Sequence, residues 1–294
     1  MEKFLINLLE KNNRVIIPEL GAFIIRQNDP KELVFNDLLA IDDGLLAEHV
    51  IQSENISKKE AQDRIRQYAN QIKKALYATF LTNLYGFRLK KTESTAEKKQ
   101  LRVDYSDALM SKLQISVEVQ GLEKLNPDGQ YLLISNHRSI IDPVIVEMAL
   151  RSTSIYGHWV AKKELFNSFF FGMFTRNAGT ILLDRDAKQM SSFFKDTKAC
   201  VAEGESIFVF PEGTRNKEDT SLSEFKEGSQ IIAVKNRLDI LPVYIRDNAN
   251  DALKKALASK PEASSVTIEI GDTISYKDRS VPLEEAYRTM FNIT

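Results

Sequence analysis

An apolar segment of the chain ends abruptly at a histidine. Residues 131–134 (YLLI) favour a β-strand, and the run stops just before His137. Four residues separate His137 from Asp142, and Pro143 then opens a helical pattern of apolar positions over 144–149. An Asp followed by a Pro is typical of the N-cap and first residue of a helix. The pattern predicts a buried strand with a histidine at its carboxyl end and an aspartate at the start of the next helix.

Periodicity along the rest of the chain predicts two different parts. In the first third, short strands lie between amphipathic helices, as in a small α+β unit. Later, strands alternate with helices, which indicates an α/β domain. The predicted strands cover 15–17, 22–25, 33–35, 85–89, 113–119, 131–137, 159–161, 179–185 and 206–210. The predicted helices cover 2–12, 42–52, a segment from a capping box at Ser57 through Leu76, 142–150 and 187–203.

A charged segment marks the predicted domain boundary. Residues 91–107 (KTESTAEKKQLRVDYSD) contain few apolar residues, so they are predicted to form a polar linker. We therefore expect one domain over 1–105 and a second over 108–294. The net charge of −1 argues against a chain built to clamp nucleic acid. Cys200 is the only cysteine, so the sequence predicts neither a disulfide framework nor a thiol metal site.

The spacing of His137 and Asp142 suits acid–base chemistry. Ligands of open α/β sheets gather at the carboxyl ends of the strands, where His137 is predicted to lie. A histidine oriented by a carboxylate at that edge is the minimal general base. The structural alternative is that Asp142 only caps its helix and His137 only closes a turn.

A second loop with chemical potential follows the predicted strand 206–210. In FPEGTR (210–215), a proline pre-sets a turn, Gly213 permits a positive φ, and Arg215 suits bidentate contact with a phosphate. Backbone N–H groups and the Thr214 hydroxyl are expected to converge on the same anion. The alternative is a structural turn with an exposed arginine.

Taken in order, these motifs resemble those of the glycerolipid acyltransferases. NHRSIID is followed by AKKELF, then by FPEGTRN with a downstream FKEG, and then by LPVYI, so the likeness covers roughly 110–275. The bacterial 1-acylglycerol-3-phosphate acyltransferases are the most similar. The resemblance implies an α/β domain with a central mixed sheet flanked by helices. Two departures are a Ser-Phe-Phe-Phe run where the family has Pro, and a preceding domain where many relatives carry a hydrophobic segment.

The resemblance also implies an activity and a set of roles. A fatty acyl group would pass from a thioester, acyl-CoA or acyl carrier protein, to the free glycerol hydroxyl of 1-acylglycerol-3-phosphate. His137 would be the base and Asp142 its orienting partner, with no cofactor and no metal. The implied phosphate-binding residues are Glu212, Gly213, Thr214 and Arg215, with Lys162, Lys163 and Lys226 as further candidates. The open alternatives are another lyso-lipid acceptor, such as an amino-acid-based one, and a regulatory DNA binder with an inactive acyltransferase domain.

The first domain resembles HU-like domains. The resemblance rests on VIIPELGAF, on LVFN followed by DDGLLAEHV, and on the long third helix. Residues 1–106 have a net charge of only +2 and no basic β-arm, so DNA binding is not expected. Self-association or a protein partner is the preferred role.

The sequence predicts a protein that lies on a membrane rather than in it. No apolar run approaches the roughly 20 residues of a spanning helix, and the N-terminus is too charged for a secretory signal. We expect a cytoplasmic protein, peripheral on the inner face of the cytoplasmic membrane. The aromatic stretch Phe166–Phe174 is either a membrane-docking patch or core.

Overall fold

The computed structural model describes residues 1–26, 32–168, 170–183 and 190–293. These residues form two compact units, one of Met1–Tyr77 with Lys254–Glu262 and the other of Ala78–Leu253 with Ala263–Thr294. The division falls inside a long helix, not near residue 105. Among the described residues, no helix is both long and apolar enough to cross a membrane.

The first unit combines a small antiparallel sheet with helices. Its sheet has the order β1-β2-β3, and its core joins Leu8, Val15, Val50 and Ile65. The elements are α1 (Glu2–Lys11), β1 (Arg14–Ile17), β2 (Gly21–Arg26), β3 (Glu32–Asn36), α2 (Leu45–Glu54) and the beginning of α3 (Lys58–Lys90). This is the predicted α+β arrangement, while the likeness to HU stays a prediction.

Two predictions about residues 85–107, which belong to the second unit, are wrong. The strand expected at 85–89 belongs to α3, which runs on because a single glycine does not break a helix with many other contacts. Most of the expected linker is α4 (Thr95–Leu113), which Ser94 caps by accepting a hydrogen bond from the backbone N–H of Glu97. Seven residues of α4 are buried, among them Arg102, whose charge is paired with Glu147. Because the charge of Arg102 is paired inside the fold, the charged composition of residues 91–107 wrongly suggested a solvent-exposed linker.

The second unit is built on a seven-stranded mixed sheet of order β4-β10-β9-β5-β8-β6-β7. Strands β5 to β9 run parallel to one another, and β9 pairs antiparallel with β10. The predicted α/β architecture with a mixed sheet is confirmed. Its elements after α4 are β4 (Ile115–Gln120), a 3₁₀ turn (Leu122–Lys124), β5 (Leu132–Ser135), α5 (Asp142–Ala149), β6 (Gly157–Lys162), α6 (Lys163–Phe166), α7 (Gly172–Asn177), β7 (Ile181–Leu183), α8 (Met190–Ala202), β8 (Ser206–Val209), α9 (Gly228–Asn236), β9 (Ile240–Ile245), α10 (Ala249–Ala256), β10 (Ser264–Ile270) and α11 (Leu283–Phe291).

Both faces of the central strands are buried, which explains why they read as continuous apolar runs rather than alternating ones. Leu132 and Ile134 of β5 pack with residues of α8, α9 and α11 on one face. Leu133, which points the other way, is fully buried as well. Packing on both faces holds β5 in place, and this positions the start of the loop that follows its carboxyl end.

Candidate active site

The candidate residues lie at one edge of the sheet. His137 follows β5, the FPEGTR loop follows β8, and Lys162 ends β6. Because these three strands are parallel, their carboxyl ends share an edge. The edge is the one at which open α/β sheets bind ligands.

His137 and Asp142 form a hydrogen-bonded pair. The Nδ1 atom of His137 lies 2.9 Å from Oδ2 of Asp142. The aspartate side chain is 1% exposed and the histidine side chain 17%. Since a carboxylate only accepts, Nδ1 carries the hydrogen, and the lone pair of Nε2 is left to accept a proton. No residue in the described part of the chain bonds Nε2, as a general base requires.

Asp142 is held by the backbone of the turn that it closes. Its Oδ2 also accepts the N–H groups of Arg138 at 2.7 Å and of Ser139 at 2.6 Å. The predicted N-cap role is wrong: Ile141 occupies the cap position and α5 begins at Asp142 itself. The carboxylate bonds to the turn instead of the helix, so it orients the imidazole and the turn together.

Glu212 connects the two loops. One carboxylate oxygen accepts the N–H of His137 at 2.6 Å, and the other accepts the N–H of Ser223 at 2.8 Å. The residue is 3% exposed, and this burial raises the pKa of the carboxyl, while the two N–H groups act in the opposite direction. Both oxygens face backbone donors, so the geometry favours a positioning role over the expected contact with a phosphate.

The tip of the second loop is open to solvent. Gly213 adopts a φ of +69°, and its N–H bonds the carbonyl of Phe210 at 2.9 Å. Thr214 and Arg215 are exposed, while the N–H of buried Asn216 donates to the carbonyl of His137 at 2.7 Å. His137 is therefore clamped by this loop at both its N–H and its carbonyl, and Thr214 and Arg215 are free to meet a ligand.

The three candidate lysines differ in their surroundings. Lys162 and Lys163 are exposed where β6 meets α6, at the carboxyl edge. Lys226 is exposed and pairs with Glu224 at 3.6 Å, while its N–H bonds the carbonyl of Pro211. That backbone bond ties Lys226 to the start of the FPEGTR loop.

An aromatic column stands behind the imidazole. The ring of His137 stacks on Phe210, with centroids 3.9 Å apart and planes 11° apart. Phe210 stacks in turn on Trp159 at 4.8 Å. The indole N–H of Trp159 donates to Glu147 at 2.8 Å, and Glu147 is the ion-pair partner of buried Arg102. The column packs against one face of the imidazole and so fixes its plane.

Further supports come from residues that the sequence did not single out for the site. The amide of Asn136 bonds both the N–H and the carbonyl of Ile245 at the end of β9. The hydroxyl of Tyr287 on α11 accepts the N–H of Asn136 at 3.2 Å and donates to the carbonyl of Val243 at 2.6 Å. The only sequence signal for Asn136 was its place next to His137, and Tyr287 gave none.

The fold and the site together define a class of α/β protein in which a histidine–aspartate pair, with a geometry suited to general-base chemistry, lies beside a solvent-exposed loop with Thr214 and Arg215. Comparison with known proteins is consistent with that class. Residues 116–246 match the family model described as Acyltransferase. The match includes both loops, and the family is the one that the motifs resemble.

Two relatives with curated names share the same name. The chain is 37% identical to the 1-acyl-sn-glycerol-3-phosphate acyltransferase of Helicobacter pylori over 127 residues, 42% of this chain and 52% of that protein. It is 30% identical to the Bacillus subtilis protein of the same name over 130 residues, 44% of this chain and 62% of that protein. The chain thus spans roughly half the length of the curated relatives it matches.

A solved structure shares the fold. The crystal structure of the 1-acyl-sn-glycerophosphate (LPA) acyltransferase PlsC from Thermotoga maritima matches with a TM-score of 0.57 at 22% identity, over 77% of this chain and 93% of that chain. This likeness supports the architecture of the sheet and its helices.

Proposed function

We propose that the second unit transfers a fatty acyl group from a thioester donor to the free hydroxyl of 1-acylglycerol-3-phosphate, which forms phosphatidate. The observation that carries the proposal is the His137–Asp142 pair, which the FPEGTR loop clamps and whose Nε2 has no partner among the described residues. The activity in the relatives' names is the same one.

His137 acts as base and then as acid. Nε2 takes the proton of the glycerol hydroxyl as its oxygen attacks the thioester carbonyl carbon. The tetrahedral intermediate collapses with cleavage of the C–S bond, and the imidazolium returns the proton to the departing thiolate. The buried carboxylate of Asp142 stabilises the imidazolium between these steps. The nucleophile belongs to the substrate, so no side chain is acylated.

The open tip of the second loop binds the acceptor's phosphate. Arg215 supplies two parallel donors and Thr214 supplies a hydroxyl, while Glu212 stays behind them as the support. Lys162 and Lys163 add positive charge from the neighbouring strand end.

A transfer assay with the purified full chain tests both proposals. It compares 1-acylglycerol-3-phosphate with amino-acid-based lyso-lipids, and acyl-CoA with acyl carrier protein. Arg215→Lys keeps the charge but loses the planar fork, so we expect a higher KM for the phosphate acceptor and little change for the donor. Exclusive turnover of a phosphate-free acceptor, or a change in the donor KM alone, would overturn the assignment.

We also propose that the second unit touches the membrane through an apolar face of α3. Phe80, Leu84 and Phe87 are 64%, 42% and 51% exposed and share one side of the helix. Exposed Arg88 and Lys90 adjoin them, which suits an anionic surface. Of the aromatic stretch, Phe170 is exposed, whereas Phe174 packs against Tyr105 at 4.6 Å, and Phe169 lies outside the described residues.

Sedimentation with anionic phosphatidylglycerol vesicles tests this face. Phe80→Ser with Phe87→Ser should weaken binding by at least about tenfold, since burial of a Phe side chain contributes roughly 1.5–3 kcal/mol. Val281→Ser removes a similarly exposed apolar side chain elsewhere and serves as the control. Equal losses in both variants would contradict a specific face.

For the first unit we propose a role in self-association or in binding a protein partner. All proposed catalytic residues lie outside it. Titration of the full chain with duplex DNA at about 0.15 M salt, where screening is strong, should show no sub-micromolar binding. Sub-micromolar binding would revive the DNA-linked alternative.

A further inference from the structure

A second histidine is held by acceptors on both of its ring nitrogens. His158 is the second residue of β6, so it lies at the amino ends of the parallel strands, whereas His137 lies at their carboxyl ends. Its Nδ1 bonds the carbonyl of Gly179, and its Nε2 faces the carboxylate of Glu205. The side chains of His158 and Glu205 are 13% and 10% exposed, so this contact is largely withdrawn from water.

Both ring nitrogens of His158 face acceptors, so a positively charged species is needed between Nε2 and the carboxylate of Glu205. A backbone carbonyl only accepts, so Nδ1 carries the hydrogen. In the neutral ring, the lone pair of Nε2 then points at a carboxylate oxygen, which is also an acceptor. Two acceptors in contact require a positive species between them, either a proton or a metal cation.

A third donor atom lies beside these two. Cys200 on α8 is half-buried, and its Sγ, a ring nitrogen of His158 and a carboxylate oxygen of Glu205 all lie within 4.8 Å of one another. The sequence predicted no thiol metal site because the chain has one cysteine. The fold brings the imidazole of His158 from a distant point of the chain to that cysteine, whereas the carboxylate belongs to Glu205, which lies close to Cys200 in the sequence.

Outer partners hold the donors in place. The hydroxyl of Thr95 donates to Oε1 of Glu205 at 2.8 Å, which leaves Oε2 turned toward His158. Histidines that bind metals almost always donate their other ring N–H to a carbonyl or carboxylate, and carboxylate ligands are hydrogen-bonded in turn. Gly179 and Thr95 supply these two supports from outside the cluster.

We propose that His158, Cys200 and Glu205 form a binding site for one divalent ion of the zinc type. Imidazole, thiolate and carboxylate together suit Zn²⁺, which takes N, S and O donors at about 2.0–2.3 Å in tetrahedral geometry. The ion replaces the proton between Nε2 and Oε2 and displaces the proton of the thiol. The site would join β6, α8 and the start of β8 at the edge away from the base, and it does not depend on the proposed acyl transfer.

Cobalt titration of the chelator-treated full chain tests the site. Co²⁺ bound by a thiolate gives a near-ultraviolet charge-transfer band, and with a single cysteine in the chain that band can arise only from Cys200. We expect saturation at one equivalent and displacement by Zn²⁺. Cys200→Ser should abolish the band, and Thr95→Val should weaken Co²⁺ binding by about 10–100-fold, as outer-partner substitutions do.

Two controls keep the result decisive. His49→Ala removes a histidine from the first unit and should leave the titration unchanged, and circular dichroism reports whether each variant is folded. Absence of the band in the folded wild-type chain would mean that a proton fills the position and would overturn the proposal. A band of unchanged affinity in folded His158→Ala would overturn it equally, because Cys200 would then bind cobalt without the cluster.

Discussion

Two histidine–carboxylate pairs lie at opposite ends of the parallel strands of one sheet. They differ in the contact that the Nε2 atom of each histidine makes. His137 gives Nδ1 to Asp142, and the described residues offer its Nε2 no partner. His158 gives Nδ1 to a carbonyl and presents Nε2 to Glu205. Both pairs are largely buried, so burial does not distinguish them.

The comparison shows that a histidine beside an acid is not by itself a base. A general base needs a lone pair that a substrate can reach, and of the two rings only that of His137 has a nitrogen with no partner among the described residues. In the other pair, Nδ1 donates to a carbonyl and Nε2 faces a carboxylate, which suits fixed binding of a cation between them. The position along the strands explains this difference in proposed role, because the exposed Thr214 and Arg215 lie at the carboxyl ends of the strands, beside His137.

Removal of each imidazole in turn should test the difference between the two pairs most clearly. His137→Ala should lower kcat by about 10²–10⁴, the usual loss for a general base. His158→Ala should keep its turnover at temperatures where the variant is folded. Near-normal turnover in folded His137→Ala would contradict the assigned base, and parallel losses in the two variants would contradict the difference between the pairs.

Glu212→Gln should have the next largest effect. A glutamine can accept one of the two N–H groups, and its own NH₂ then opposes the other. An unpaired buried donor costs about 1–3 kcal/mol, so kcat should fall by roughly 5–150-fold while the KM for the donor changes little. Exposed Glu224 provides the matched control, since Glu224→Gln leaves His137 untouched. An unchanged kcat for Glu212→Gln would mean that the clamp is dispensable.

The sequence predicts the chemical pair but not its supports. His137, Asp142 and the FPEGTR loop are contiguous with strands whose apolar runs are unambiguous, so their place at one edge followed from the parallel α/β pattern. Tyr287 lies 151 residues from Asn136, and no local pattern joins them. His158 likewise found its partners only through the fold.

The predicted domain boundary near residue 105 differs from the division after Tyr77 for a related reason. Helix α4 is charged overall, and local composition cannot reveal that Arg102 is buried against Glu147. Helix α3 also continues through the predicted strand at 85–89, because periodicity alone cannot distinguish a strand from a helix in so short an apolar run, and its one glycine does not break the helix. Long-range pairing decided both segments.

The aromatic column should contribute a smaller, measurable part of catalysis. Trp159→Leu removes the stack on Phe210, and an aromatic pair contributes about 0.5–1.5 kcal/mol beyond burial, so kcat should fall by roughly 2–10-fold with KM unchanged. Trp159→Phe keeps a ring and should retain more activity, although it leaves Glu147 without the indole donor. A rise in KM without a fall in kcat would show that Trp159 serves substrate binding instead.

The smallest effect concerns the pH dependence of stability. Burial raises the pKa of Glu212 in the folded chain above its unfolded value of about 4.3. The stability that the protonated carboxyl provides is therefore complete below the unfolded pKa of about 4.3 and is lost as the pH rises through the folded pKa. The glutamine of Glu212→Gln does not titrate, so the unfolding free energy of wild type minus that of the variant should decrease from about pH 4 toward pH 7. Trp159, the only tryptophan, lies in the second unit and reports its urea unfolding. A difference that grows with pH would mean that the N–H groups of His137 and Ser223 outweigh burial.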